Sequence, residues 1–520
     1  MTAATFDLGK LHGGLRLDAN KAQATGGDIV DIPIPKQLVI PLKQHVGEES
    51  QPVVGIGERV LRGQLIAECV GKLGAPVHAS SSGTLVSIEP WPVTRRFGEK
   101  ALCMIIETDG LDEEIEHESF PDYDTLAPAE LTIRSSSSAD TLAPAELLER
   151  IVSGGIVGLG GAVFPTAQKL MQAGGCEMDM LILNAVECEP YISCDDMLMR
   201  ERAAEVISGA QILLHALGID QCLIGIESDK PAAIEALLTV LGESGDERIL
   251  VKQVPTVYPS GGEDQLVQLI ANREVPSGGL PTDIGCLVQN VGTAAAVHDW
   301  IIDGRPLTSR ITTITGNGVA SPMNVRARLG TPVAKLAPHA GGYTEQAELL
   351  IIGGPMTGKS VSTDDVPVVK ATNCVLVMSE QPSAGKELPC IRCGECAAAC
   401  PVQLMPQQLF WYACADDEPK LRDFGLTDCI ECGCCDLVCP SHIPLTFDFR
   451  MAKARIREQA DEKARAERAR RRFEARNERL ARERDARNEE LQEQKAQAKK
   501  AGRDAIAEIL ARKRGKDKES

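Results

Sequence analysis

Eight of the eighteen cysteines in this 520-residue chain fall into two copies of one spacing. Cys390, Cys393, Cys396 and Cys400 are followed by Pro401, and Cys429, Cys432, Cys435 and Cys439 by Pro440. Three closely spaced thiolates can cap one face of an iron–sulfur cubane, while the fourth is held too far round to complete the same site. Structural zinc asks for paired CxxC units rather than two such runs. With no leader-like start at MTAATFDLGK, the cysteines are expected in a reducing compartment, where clustered spacing means metal ligation and not disulfides. The chemistry on offer is single-electron transfer through two [4Fe–4S] clusters.

The spacing is that of bacterial two-cluster ferredoxins, in which the fourth cysteine of each run ligates the other cluster. The expected sets are therefore Cys390, Cys393, Cys396 and Cys439 for cluster one, and Cys429, Cys432, Cys435 and Cys400 for cluster two. Cys434 is left unligated. The remaining cysteines, Cys188, Cys194 and Cys286 among them, are read as small buried hydrophobes. Two clusters alone only move electrons, so the large body before them is expected to hold a donor or acceptor site.

A second candidate lies in Gly158-Leu159-Gly160-Gly161-Ala162-Val163-Phe164-Pro165-Thr166 with Lys169 after it. Glycines let backbone N–H groups approach a phosphate or a flavin ring, and Lys169 could neutralise anionic oxygens. A plain tight turn is the competing reading, and the dinucleotide fingerprint is absent.

Four segments in order make the pattern specific. The loop resembles the GRGGAGFPTxxK segment of the flavin- and NADH-binding subunit of respiratory complex I. Asn184-Ala185-Val186-Glu187-Cys188-Glu189-Pro190 resembles its NADESEP segment, Tyr258-Pro259-Ser260-Gly261-Gly262-Glu263 its YxCGEE segment, and Asn290-Val291-Gly292-Thr293 its NNVET segment. Leu159, Val163, Val186 and Gly262 depart from that pattern. Together with His12-Gly13-Gly14 and the two cysteine runs, residues 6–450 resemble the RnfC (RsxC) subunit of the ion-translocating ferredoxin:NAD oxidoreductase (Rnf) complex.

That resemblance implies FMN held by Gly160, Gly161, Lys169, Asn184, Asp195, Asn290 and Thr293, with Gly158, Ala162, Tyr258 and Gly261 also counted among the cofactor-binding residues. It implies an NADH pocket shaped by Phe164, Glu187, Glu189 and Glu263. For the two carboxylates after Val186 the alternative is a helix cap or a surface charge. It implies a peripheral subunit on the cytoplasmic side of the inner membrane, passing electrons between NADH and the RnfB iron–sulfur subunit beside ion-moving membrane subunits, with ferredoxin reached indirectly. No side chain is expected to act as a covalent catalyst. Two rivals are a soluble cobalamin reductase-like protein and an electron relay whose flavin site does not work.

The elements that must position these residues can be read from patterning. The fold class is multidomain α/β. Residues 1–120 are expected as a β barrel-sandwich hybrid, with strands at LVIPL, VVGIG, TLVSI and ALCMII. Residues 121–145 form a linker with DTLAPAEL duplicated at 124–131 and 140–147. Residues 146–310 alternate apolar runs such as MLILNAV and CLIGIE with helical patterns, the order of a parallel α/β flavin domain. Residues 311–378 are expected as a small β-grasp-like (SLBB-type) domain and 379–450 as the two-cluster ferredoxin-like module. Residues 451–520 carry about 23 Lys and Arg against 15 Asp and Glu, within a chain of net charge −19. They are read as a charged helical or disordered tail able to touch anionic lipid. The acidic remainder argues against nucleic acid as a partner, and no apolar run is long enough to span a bilayer.

Overall fold

The structure, a computed structural model, describes residues 8–71, 73–94, 99–120, 142–379 and 385–516. The first DTLAPAEL copy, the serine run after it and the start of the second copy lie outside the described residues. By internal contacts the chain divides into two units, one ending at Phe449 and one starting at Arg450.

The first unit begins with two facing antiparallel sheets. One runs in the order Gln37–Pro41, Lys100–Thr108, Gly83–Pro92 and Arg59–Val60; the other is Gln51–Pro52, Leu65–Glu68 and Val77–His78. Alternating side chains such as Leu38, Ile40, Val60, Ile66, Leu85 and Met104 fill the core between them. VVGIG, expected as a strand, is a turn after Gln51–Pro52. Gly57 takes φ +91° there, and the Glu58 carboxylate accepts from Gly55 N at 3.0 Å. The residues before Lys36 leave these sheets: Val30–Asp31 pairs in parallel with Val325–Arg326, at the edge of a six-stranded sheet completed by Ser309–Thr315, Cys374–Met378, Leu349–Ile352 and Lys359–Val361.

Residues 180–290 build a four-stranded parallel sheet in the order Ile249–Val254, Cys222–Glu227, Met180–Ala185, Cys286–Asn290. Both faces are covered, which is why its strands read as continuous apolar runs. Leu181, Leu183, Ile224 and Leu287 point to one core, and Ile182, Leu223 and Val288 to the other. The sequence expects one helix over DDMLMRERAAEVISGAQILLHAL. The structure has two, Cys194–Glu201 and Ala203–Leu217, because Arg202 leaves helical geometry at φ −134° and its guanidinium pairs with Asp299 at 2.5 Å. The helix Val291–Ile301 lies directly on Ala203–Leu217, so closely that a Cβ at Gly209 would fall 1.9 Å from the Ala294 carbonyl oxygen.

The barrel-like sheets, the parallel sheet and the mixed sheet meet at Lys370. This fully buried side chain donates from Nζ to the carbonyls of Gly155 at 2.6 Å and Pro76 at 3.1 Å. Burial without a carboxylate partner pushes its ammonium down to about 7.

Residues 385–449 wrap two cysteine loops of matching backbone. Arg392 and Glu431 take φ +59° and +57°, and Gly394 and Gly433 take +86° and +79°. Each loop then enters a short helix, Glu395–Ala398 or Cys434–Leu437. The second unit continues the helix Leu445–Lys516, which passes through Gly502 without a break. Its surface carries i,i+4 ion pairs, such as Arg470–Glu474 and Glu467–Arg471. Among the described residues no helix is long and apolar enough to cross a membrane.

Candidate functional site

The parallel sheet reverses its strand order beside Met180–Ala185: the next two strands add on one side and Cys286–Asn290 on the other. Such a switch point opens a crevice at the carboxyl ends of the strands. Asn184, next to last in its strand, and Asn290, last in its own, stand in register. The glycine loop lies over them. Its ends are tied by Gly158 N to Phe164 O at 2.8 Å and Val163 N to Gly158 O at 3.1 Å. Gly160, Gly161 and Ala162 form an exposed lip. A Cβ at Gly161 would meet nothing within 4 Å, and the nearest atoms to one at Gly160 belong to Asn290, at 3.7 Å. That open lip over two asparagines is a cradle into which a planar ring and its chain can fit.

Around it the expected residues are knit together. Asn290 caps the helix Val291–Ile301 through Gly292 N and donates to Asp195 at 2.6 Å. Thr293 Oγ1 accepts from Leu159 N at 2.9 Å, and Asn184 donates to the Gly261 carbonyl at 2.8 Å. Lys169 bridges Glu263 at 2.6 Å and the Val288 carbonyl at 2.7 Å. Beneath the Tyr258–Glu263 loop, the buried pair Lys230–Glu227 is 2.8 Å apart, and Ser260 donates to the same glutamate.

Glu187 and Glu189 have other occupations. The Glu187 carboxylate accepts from Asp195 N at 2.7 Å and Asp196 N at 3.3 Å, the first turn of Cys194–Glu201. Burial, partly offset by Lys21, pushes it up to about 7. Glu189 accepts from Met356 N at 3.2 Å and Thr357 N at 2.9 Å, holding the turn of the mixed sheet. The first contact caps a helix; the second holds a turn between strands.

The cysteines sort into two cavities. Cys390, Cys393, Cys396 and Cys439 line one, together with Phe410 and Leu445. Cys400, Cys429, Cys432 and Cys435 line the other, and Cys434 reaches it as well. Four thiols around each space fit the donor set of a cubane. Burial pushes Cys396, Cys400 and Cys435 up. Cys432 is lowered to about 7 because the Cys434 thiol donates to it. Cys434 is itself raised and stays a neutral donor.

The crevice and the second thiol cavity are bonded to each other. Tyr258, 4% exposed, donates from its hydroxyl to the Cys432 carbonyl at 2.7 Å. It packs with Ala399, Cys434 and Met356. The amino-terminal segment straps the joint: Leu15 exchanges backbone bonds with Tyr258 at 2.7 and 2.8 Å, and Gly14 N donates to Ala399 O at 3.0 Å. Farther along, Lys21 Nζ donates to the Glu187 carbonyl.

The chain is 44% identical over 502 residues to the C subunit of the ion-translocating oxidoreductase complex of Citrobacter koseri, covering 96% of this chain and 68% of that protein. The chain belongs to the family of these C subunits, the RnfC family. The Pseudomonas aeruginosa member is 46% identical over 89% of this chain, and the Cronobacter sakazakii one 45% over 97%. This chain spans 58% and 63% of those two relatives. Three domain families match within this RnfC-family chain: the RnfC barrel sandwich hybrid domain at 9–111, the Nuo51 FMN-binding domain at 151–299 and the SLBB domain at 311–360. Its N-terminal sheets are thus the barrel-sandwich hybrid, and FMN is the cofactor of the 151–299 domain. [4Fe–4S] clusters go with the cysteine-rich region. Chains of an NAD+-reducing [NiFe]-hydrogenase overlap at TM-scores of 0.40 and 0.42 with 19% and 17% identity, covering 60% and 66% of this chain and 57% and 68% of theirs. That overlap is too loose to add to the site.

Sequence reasoning passed over Lys21, Met356, Thr357 and the Glu227–Lys230 pair. Lys21 and Thr357 are single polar residues in unpatterned segments, and only folding brings them to Glu187 and Glu189. Ser228–Lys230 after the apolar strand carried the one readable signal, a charged cluster at a strand's carboxyl end.

Proposed function

We propose that this chain is the peripheral electron-input subunit of a membrane-bound, ion-translocating NADH:ferredoxin oxidoreductase. It passes electrons between NADH and a partner iron–sulfur subunit of the RnfB kind, on the cytoplasmic side of the inner membrane. FMN is held by the lip Gly158, Gly160, Gly161 and Ala162 with Lys169, Asn184, Asp195, Asn290 and Thr293. Phe164, Tyr258, Gly261 and Glu263 border the NADH side, with Glu187 and Glu189 behind. The clusters take the two crossed ligand sets. The proposed domains are 1–120, 146–310, a β-grasp-like 311–378, a ferredoxin-like 379–450 and the tail 451–520.

Bound in these places, FMN would supply two-electron hydride exchange and the clusters single-electron transfer. The chain's own part is placement. The exposed lip leaves one side of the crevice open for the nicotinamide, and Asn184 and Asn290 fix its floor. Lys169 supplies a cation that Glu263 holds in position. Tyr258 holds the Cys432 loop against the crevice, so Cys400, Cys429, Cys432 and Cys435 would hold the cluster nearer the flavin.

The observation that carries this reading is the Tyr258–Cys432 hydrogen bond, which ties the flavin crevice to a cluster loop in one compact unit. Anaerobic reconstitution with iron, sulfide and FMN tests it. NADH is expected to bleach the iron–sulfur absorbance and to produce EPR signals from two reduced clusters. Clusters that assemble with FMN bound yet stay oxidised under NADH would sink the proposal.

A further inference from the structure

Among the described residues, the charged cavity beside the crevice contains one buried cation without a counter-charge. The cavity, of about 860 Å³, runs from Leu159, Asp195 and Gly292 out to Arg305 and Arg328. Five of its arginines, Arg62, Arg202, Arg305, Arg326 and Arg328, are each paired with a carboxylate. Arg310, in the strand Ser309–Thr315, is 4% exposed and pairs with none among the described residues. Its Nη2 donates to the Leu159 carbonyl at 2.6 Å, and its buried Nε has no hydrogen-bond partner.

A buried guanidinium whose charge is met by a carbonyl and, among the described residues, by no carboxylate is costly unless an anion meets it. The surroundings fit one. Arg310 faces the first turn of the helix Val291–Ile301, where backbone dipoles favour negative charge. A Cβ at Gly292 would stand 3.3 Å from Arg310 Nη1 and 3.0 Å from Asn290 Oδ1, so glycine keeps that gap open. The acid lining the same end, Asp195, is engaged by Asn290 at 2.6 Å. The lip itself, Gly158–Phe164, contains no cation.

We propose that Arg310, with the amino end of the helix Val291–Ile301, forms a phosphomonoester site, and that the ester it takes is the phosphate of FMN. The inference rests on the flavin reading above and adds to it a residue from a different sheet. A planar guanidinium presents paired donors matched to phosphate oxygens.

Riboflavin and FMN differ by that phosphate, so their affinities separate the cases. Quenching of flavin fluorescence by the full chain is the measurement, on wild type, Arg310→Gln and Arg310→Lys, with melting curves of each. Wild type is expected to prefer FMN. Arg310→Gln is expected to lose about ten- to a hundredfold in FMN affinity, the range for a hydrogen bond to a charged group, with riboflavin affinity unchanged. Should Arg310→Gln not fold, Arg310→Lys carries the test: it keeps the charge but not the fork, and FMN alone should weaken. Equal losses for both flavins, or an unchanged FMN affinity in a folded variant, overturn the Arg310 assignment and leave the flavin reading standing. A wild-type chain that binds neither flavin overturns both.

Discussion

Gly394 and Gly433 occupy equivalent places directly after the second cysteine of each loop, and both take left-handed backbone. The turn there aims the following thiol, Cys396 or Cys435, back toward its cavity. Open space surrounds Gly394, where a Cβ would meet nothing within 4 Å. The cost of a side chain at this position is therefore purely conformational, about 1–2 kcal/mol for alanine and less for asparagine. Gly394→Ala is expected to lower the urea midpoint at which iron–sulfur absorbance is lost, and Gly394→Asn to lower it less. Equal midpoints for the two variants and wild type would mean that the loop conformation is imposed by the cluster alone.

At the scale of elements, the cysteine loops and the parallel strands were legible in the sequence because each is local: a spacing, or an apolar run within one strand. MLILNA and CLIGIE are strands at Met180–Ala185 and Cys222–Glu227. The amino-terminal strap was not legible. It has no periodicity, since its partners are backbone groups of distant loops, and His12-Gly13-Gly14 carried only a family likeness. Its glycines have a physical reason. Gly13 takes φ +54°, and a Cβ there would lie 2.7 Å from the carbonyl oxygens of Ala399 and Cys400. Gly13→Ala is therefore expected to lift the strap off the end of the first cysteine run, at Ala399 and Cys400. Limited proteolysis should cut the variant within residues 9–20 faster than wild type, with Gly26→Ala, which meets nothing within 4 Å, as the control. The same variant should shift the EPR signal of one cluster and leave the other. The undivided helix expected over 195–217 failed for a similar reason: the break at Arg202 is made by Asp299, a residue about a hundred positions away.

The whole first unit depends on what joins its three sheet systems, and Lys370 is a joint that titrates. Among the described residues its ammonium bonds only to carbonyls, and burial holds its pKa at about 7 against an ordinary 10.5. Between those values the unfolded chain binds the proton more tightly than the folded one. Stability from this group therefore rises with pH across the window, by up to roughly 1.4 kcal/mol per unit. Below pH 7 both states carry the proton and the penalty is at its full size. Lys370→Met removes the charge but leaves the Pro76 and Gly155 carbonyls without a donor, a cost of about 1–3 kcal/mol each. That cost does not change with pH, so the variant should compare best with wild type near pH 6 and steadily worse toward pH 10. Denaturant midpoints of both proteins measured across that range test the argument. A difference that stays flat with pH would mean that Lys370 is charged throughout and that water reaches the joint.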